Sequence, residues 1–261
     1  MHIAEAGNGG FAGVFRFSSI VGYTAKEAAK GKFIILGVQF EGVQGGTKIN
    51  DLISGVTGVD WDADLNYVLT APQIQVPAAS GYTTYYYLND GWYDDGTEDG
   101  ATKAGWCDSE GAIVDDELTP GVAMWAKSVG DDASINVAGA VSEDDSADID
   151  CPATFALRAN IFPVSAQLNT SAMTATGISG VDWDADLNYV LTAPQIQVPA
   201  ASGYTTYYYL NDGWYDDGTE DGATKAGWCD SEGAIVNDAI PAAQGFWTKG
   251  VGSAFKLVFS K

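Results

Sequence analysis

The stretch that decides the fold occupies residues 58–114 and reads GVDWDADLNYVLTAPQIQVPAASGYTTYYYLNDGWYDDGTEDGATKAGWCDSEGAIV. Residues 180–236 repeat it letter for letter at an offset of 122. The same offset continues into the flanks, and the spacing predicts a gap-free alignment from Phe33 to Lys127. The chain of 261 residues therefore carries an internal duplication, and its length suits two fold units of about 100–150 residues each.

The duplication predicts three segments along the chain. An N-terminal extension covers residues 1–18, a first domain covers 19–141, and a second, homologous domain covers 142–261. The junction SEDDSADID (142–150) is acidic and polar, which is typical of an exposed connection.

Short runs of β-branched and aromatic residues with period-two alternation predict strands. These runs are FIILGVQF (33–40), TTYYYL (83–88), AMWAKSV (123–129) and AFKLVF (254–259). Asn-Asp-Gly within LNDGWY favours a hairpin turn, because these residues accommodate positive φ. Modest helix candidates are EAAKGK (27–32), TKINDLISG (47–55) and MTATG (173–177). We expect an all-β protein with two tandem β-sandwich or small-barrel domains, with room for one short helix in each.

Charge and composition exclude several functions. The chain has 35 acidic and 12 basic residues and a net charge of -23, which disfavours nucleic acid as a partner. No long apolar run exists, so we expect no membrane insertion. His2 is the only histidine, and no Gly-rich phosphate loop occurs, so histidine triads and nucleotide chemistry are not expected. These observations favour a non-enzymatic protein.

The three cysteines are Cys107, Cys151 and Cys229. Cys107 and Cys229 are repeat equivalents, whereas Cys151 has no counterpart. In an oxidising compartment an odd number leaves one thiol free or bonded to another chain. The alternative is three buried thiols that act as small apolar side chains.

Residues 1–18 have no partner in the second copy and contain a strand-like pattern with Phe11, Phe15 and Phe17. Such an extension can add a strand to the open sheet edge of a neighbouring subunit. The alternative is that it completes the sheet of its own domain. Under the first interpretation the three phenylalanines are assembly residues.

Acidic clusters make calcium a candidate ligand. Carboxylates in glycine-containing loops can surround a hard cation. The candidate ligands are Asp94, Asp95 and Asp99, with their repeat mates Asp216, Asp217 and Asp221. A second triplet is formed by Asp60, Asp62 and Asp64, at a spacing of two residues. The alternative is a solvated acidic turn at each place, and no other cofactor is expected.

Aromatic side chains are concentrated in the repeated block and could stack on sugar rings. They are Tyr82, Tyr85, Tyr86, Tyr87, Trp92, Tyr93 and Trp106. The alternative is a role in the core or in an interface. Strand alternation sends Tyr85 and Tyr87 to one face of a sheet and Tyr86 to the other, so at least one face is expected to be core.

The order of these motifs resembles a known family. The motifs are Val21-Gly22-Tyr23, the strand 33–40, YTTYYYLNDGWYDD, and then PGVAMWAKS or AAQGFWTKG. This is similar to two-repeat secreted proteins of Verrucomicrobia, Lentisphaerae and related bacteria, whose repeats end in a GFW-K strand. The resemblance implies export, with a leader that the chain does not display, and a β-rich fold, without an established activity. The first copy departs from the pattern with Gly-Val-Ala-Met-Trp.

The sequence therefore predicts a non-enzymatic extracellular or cell-surface structural protein, a self-assembling filament or surface-layer subunit that uses β-strand addition and has itself as partner. Two alternatives stay open. One is a carbohydrate-binding adhesin, with glycans as partners, and the other is a calcium-stabilised surface module.

Overall fold

The computed structural model describes residues 21–42, 47–92, 102–214 and 224–261. Within these ranges the chain is all-β, as the alternation predicts, and strands are its main regular element. The helices of these ranges have four residues each, and none is long enough to cross a membrane.

The first copy forms two antiparallel sheets. Its strands are β1 (Val21–Ala28), β2 (Phe33–Gly37), β3 (Ile53–Ser54), β4 (Gln73–Pro77), β5 (Tyr82–Trp92), β6 (Thr102–Cys107), β7 (Ala123–Lys127) and β8 (Ala133–Ala140), and its helices are α1 (Ile49–Leu52) and α2 (Tyr67–Thr70). One sheet has the order β2-β7-β4-β5-β6, and the other has the order β1-β8-β3.

The second copy repeats this plan. Its elements are β9 (Ser146–Cys151), β10 (Phe155–Ala159), β11 (Ala166–Gln167), β12 (Met173–Thr176), α3 (Tyr189–Thr192), β13 (Gln195–Pro199), β14 (Tyr204–Trp214), β15 (Thr224–Cys229), β16 (Ala239–Ile240), β17 (Gly245–Lys249) and β18 (Phe255–Ser260). The sheets have the orders β10-β17-β13-β14-β15 and β12-β18-β9, with a small β11-β16 pair beside them.

Each copy has a sandwich-like core between its two larger sheets. In the first copy Leu36, Ile74 and Trp106 from the five-stranded sheet pack with Ile135 and Val137 from the three-stranded sheet. The second copy builds the same core around Trp228 and Phe259. A smaller cluster lies on the outer face of each five-stranded sheet, where the segment preceding β4 or β13 covers it.

The two copies join through an approximately twofold contact. The amide of Gly37 donates to the carbonyl of Ala243 at 3.0 Å, and the amide of Ala159 donates to the carbonyl of Gly121 at 2.8 Å. Gly37 and Ala159 are repeat equivalents, and so are Gly121 and Ala243. Each copy therefore makes the same hydrogen bond to the other copy. A small apolar cluster that includes Ile35 seals it.

Two polar side chains break this symmetry. Gln39 is 1% exposed; its amide nitrogen donates to the Phe162 carbonyl at 2.8 Å, and its oxygen accepts from the Ala243 amide at 2.7 Å. Lys26 donates to the Ile35 carbonyl at 2.9 Å and to the Gln244 side chain. Burial lowers the pKa of Lys26 to about 8, because the ammonium is poorly hydrated there.

The predicted hairpin turn at LNDGWY is wrong. Strand β5 continues through these residues, with a bulge between Leu88 and Gly91. The Asn89 amide donates to the Val59 carbonyl, and the Asp90 carboxylate accepts from the Trp61 amide at 2.7 Å. Asn89 and Asp90 therefore lie in a bulge of β5, where they bind the backbone of residues 59–61.

The predicted helices are correct only in part. α1 lies inside the 47–55 candidate, whereas residues 27–32 form the end of β1 and a turn, and Met173–Thr176 is strand β12. α2 and α3, which both read YVLT, were not predicted, and each follows a leucine with a φ of 58°. The junction was predicted as an exposed connection; most of its residues are exposed, but Ser146–Cys151 forms the edge strand β9 and is not a connection.

The alignment of the two copies is not gap-free in space. Asn50 donates to the carbonyls of Trp106 and Val114, and in the second copy Asn169 makes the equivalent bonds to Trp228 and Val236. The two asparagines lie 119 residues apart rather than 122. The alignment of the two copies therefore needs a local gap and a compensating gap near the equivalent core tryptophans, Trp106 and Trp228.

Candidate functional site

Several predicted site residues lie outside the described residues. These are the calcium candidates Asp94, Asp95, Asp99, Asp216, Asp217 and Asp221, the assembly candidates Phe11, Phe15 and Phe17, and the aromatic candidate Tyr93. In the ranges that the structure describes, no group of three or more histidine, cysteine or acidic side chains is arranged to hold a metal ion.

The aspartate triplet of the repeat has structural roles at two of its positions. The Asp60 carboxylate accepts from the side-chain amide of Asn89 at 3.0 Å. The Asp62 carboxylate accepts from the backbone and side chain of Asn66, both at 3.1 Å, at the start of α2. The two carboxylates therefore hold different segments of the chain.

The three thiols Cys107, Cys151 and Cys229 are buried and free of disulfides. Burial raises the pKa of Cys107 and Cys229 to about 12 and that of Cys151 to about 11. A thiol with so high a pKa is neutral at physiological pH and is a poor nucleophile. This environment fits the interpretation of the thiols as small apolar side chains.

Most aromatic candidates for sugar stacking belong to the core. Tyr85 and Trp106 are buried between the sheets with Tyr87 against them, while Tyr86 is buried in the outer cluster. The alternation predicted for the three tyrosines is thus confirmed. Of the remaining candidates, Tyr82 is exposed, and Trp92 is half-buried and donates to a backbone carbonyl.

A different set of aromatic side chains forms a surface row across the contact between the two copies. The aromatic row consists of Phe33, Trp125, Trp247 and Phe155, in this order, with neighbouring ring centroids 6.1, 6.3 and 6.2 Å apart. Phe33 and Phe155 are 43% and 47% exposed. The row extends across both copies as one apolar stripe.

The surroundings of the aromatic row are unusual for so acidic a chain. The Lys127 ammonium lies 5.2 Å from the centroid of the Phe33 ring, at one end of the row, and the Lys249 ammonium lies 5.2 Å from that of Phe155, at the other end. On the same face of the sheet, Gln75 lies beside Trp125 on the neighbouring strand, and Thr84 lies beside Gln75. The cross-strand partners of β2, β4 and β7 on this face include no carboxylate. Aromatic rings beside amide and hydroxyl groups can stack on a sugar and bond its hydroxyls.

The edges of the two three-stranded sheets differ between the copies. In the described part of the chain β1 pairs only with β8, and its Val21 and Tyr23 are 58% and 76% exposed. The corresponding edge strand β9 carries Asp148 and Asp150, whose carboxylates lie 2.6 and 3.6 Å from the Lys256 ammonium. Charges on an edge discourage pairing with another chain. The carboxylates of β9 lie along its edge, whereas the charged residues of β1, Lys26 and Glu27, lie near its end and its first five residues, 21–25, carry no charge.

Sequence reasoning missed the aromatic row, although one signal was present. Trp125 and Trp247 are repeat equivalents in divergent flanks, as are Phe33 and Phe155 and the two lysines. Retention of these pairs where the neighbouring residues differ could have pointed to a shared face.

Comparison of the chain with protein-family models, with curated proteins and with solved structures gives no match. The resemblance to the two-repeat secreted proteins therefore stays a prediction.

Proposed function

We propose that this chain is a non-enzymatic extracellular structural protein, the subunit of a filament or surface layer that assembles by β-strand addition. The observation that carries the proposal is the edge of β1 (Val21–Ala28), which has no strand partner on one side among the described residues and exposes Val21 and Tyr23. Unpaired edge strands are templates for another chain, and proteins that stay monomeric usually guard them.

The donor in this proposal is the N-terminal segment of a neighbouring copy. Residues 10–17 read GFAGVFRF and match β1 in length, at eight residues. When such a segment pairs as an extended donor strand, alternation would place Phe11, Phe15 and Phe17 on one face. Cross-strand pairs of these rings with Val21 and Tyr23 would add side-chain packing to the backbone ladder. Contacts of this kind repeat from copy to copy and give an open fibre.

The test combines a donor deletion with an acceptor variant, measured by light scattering on purified chains. Deletion of residues 1–18 and the double substitution Val21→Lys with Tyr23→Lys should each leave a folded monomer. The matched control is Leu69→Lys with Leu191→Lys, which changes two side chains that are 78% and 77% exposed away from this edge. The control should assemble normally. Assembly by the truncated chain would refute the donor, and assembly by the edge variant would refute the acceptor.

The aromatic row favours carbohydrate binding as a second candidate function. The phenylalanines of the row are exposed and its cross-strand partners are amides and hydroxyls without a carboxylate, which fits a glycan surface better than the buried tyrosines of the repeated block do. We expect Trp125→Ala with Trp247→Ala to abolish binding on a glycan array. The control is Trp61→Ala with Trp183→Ala, a repeat-equivalent pair that is 39% and 40% exposed. Equal loss in both pairs, or no binding by the unmodified chain, would remove this candidate.

A further inference from the structure

The strand register identifies the side chains that share a sheet face with the aromatic row. In the first copy Phe33 pairs with Lys127, and Trp125 pairs with Gln75. Tyr82, which is 44% exposed, lies on the same face of the sheet. Among the cross-strand partners of β2, β4 and β7 on this face, Lys127 is the only charged residue.

The second copy repeats this face, with Lys249 in the place of Lys127. These cross-strand residues together carry two positive charges and no carboxylate, on a chain whose net charge is -23. Neither ammonium forms an ion pair or a hydrogen bond with the described residues, whereas Lys48 and Lys256 both pair with aspartates. The face therefore attracts an anionic group locally, although the chain as a whole repels anions.

The two lysines lie at opposite ends of the aromatic row. The Lys127 ammonium lies over the Phe33 ring and the Lys249 ammonium lies over the Phe155 ring, each 5.2 Å from the ring centroid. The two tryptophans between them have centroids 6.3 Å apart. A matching ligand has apolar ring faces in its middle and acidic groups that are separated along its length.

We propose that the aromatic row binds an oligosaccharide in which acidic sugars are separated by neutral ones. The sugar faces pack against the aromatic rings, and an acidic group bonds each of Lys127 and Lys249. This inference rests on carbohydrate binding, the second candidate function, and adds the class of glycan. Carboxylated and sulfated sugars offer the same chemistry to an ammonium group, because both are anionic acceptors.

Charge separates this ligand from a nucleic acid, which also offers ring faces and anions. A nucleic acid has a phosphate at every nucleotide, and its binding depends on many cationic contacts. The row has two lysines, and the acidic chain around it repels every further charge. A glycan with widely spaced acidic groups satisfies both lysines without that cost.

The test is isothermal titration of the full chain at low ionic strength with oligosaccharides of equal length. The probes are hyaluronan for the carboxylate, keratan sulfate for the sulfate and chitin fragments for the neutral case, with single-stranded oligothymidylate as the nucleic acid. We expect an acidic glycan to bind more tightly than the chitin fragment, by a margin that shrinks as sodium chloride is added. The tighter of the two acidic probes identifies the acidic group.

The outcomes separate this inference from the function on which it rests. Binding of the chitin fragment as tight as that of both acidic glycans would overturn the acidic class and leave carbohydrate binding in place. No binding of any glycan would remove the candidate function itself. Oligothymidylate binding as tight as that of the acidic glycans would overturn the proposal in favour of a nucleic acid.

The duplication supplies a matched control for the two lysines. Lys127→Gln with Lys249→Gln should weaken binding of the acidic glycan by between about twofold and thirtyfold and leave that of the chitin fragment unchanged. The arginine pair at the same positions keeps the charge and should keep the preference.

The control variant is Lys103→Gln with Lys225→Gln, an exposed repeat-equivalent pair that changes the net charge by the same amount. Lys225 lies near Tyr209, whose ring packs against the core on the opposite face of the sheet. The control should bind the acidic glycan normally. Equal losses in the two lysine pairs, or no loss in either, would refute contacts at the ends of the row.

Discussion

Substitution of Gln39 by leucine tests the contact between the two copies. The side-chain amide is buried and bonds two backbone groups of the second copy, the carbonyl of Phe162 at 2.8 Å and the amide of Ala243 at 2.7 Å. Leucine has a similar size and lacks the amide, so both backbone groups lose their partner. Because each of the two unpaired buried groups costs about 1–3 kcal/mol, we expect the free energy of unfolding to fall by roughly 2–6 kcal/mol.

Urea titration followed by circular dichroism measures this change at equilibrium, by linear extrapolation to zero denaturant. The control is Gln75→Leu on the outer sheet face, where the amide is half-buried and makes no hydrogen bond with the described residues. The control should change stability by less than about 0.5 kcal/mol. A loss below about 0.5 kcal/mol for Gln39→Leu would refute the role of this side chain in joining the copies.

The remaining predictions concern pH and metal removal. The buried thiols lose protons later in the folded chain than in the unfolded one, so stability should fall as pH rises from about 9 to about 12; native thiolate absorbance appearing near pH 9 would contradict this. Lys26 has the opposite effect on stability, because its pKa of about 8 in the folded chain lies below its ordinary value of 10.5. The folded chain releases this proton first, so the contribution of Lys26 to stability should rise with pH between about 8 and 10.5. Subtraction of the Lys26→Met profile isolates this rise, and identical profiles would disprove it. If calcium stabilises the acidic loops, a chelator should lower the melting temperature, and an unchanged value would remove the calcium-stabilised alternative.

The fold class and the positions of β2, β5, β7 and β18 could be predicted because they follow from local alternation. Tyr85, Tyr86 and Tyr87 alternate between two apolar faces, and the sequence displays that period directly. The bulge at Gly91 could not be predicted in the same way. Turn chemistry is equally suited to a hairpin and to a bulge, and the distinction depends on the distant segment that Asn89 and Asp90 bind.

The surface features escaped prediction for a different reason. The aromatic row takes its rings from four strands that are far apart in the sequence, and only the contact between the copies brings Trp125 to Trp247. The difference between the two core tryptophans is also non-local: Trp106 and Trp228 lie in identical blocks, yet among the described residues only the Trp106 indole has a hydrogen-bond partner, the carbonyl of Ile53 in a divergent flank.

Negative-stain electron microscopy of the full chain tests the central claim most directly. Strand addition through β1 predicts fibres or sheets of regular repeat for the full chain and single particles for the chain that lacks residues 1–18. Monodisperse particles of single-chain size from the full chain would contradict self-assembly.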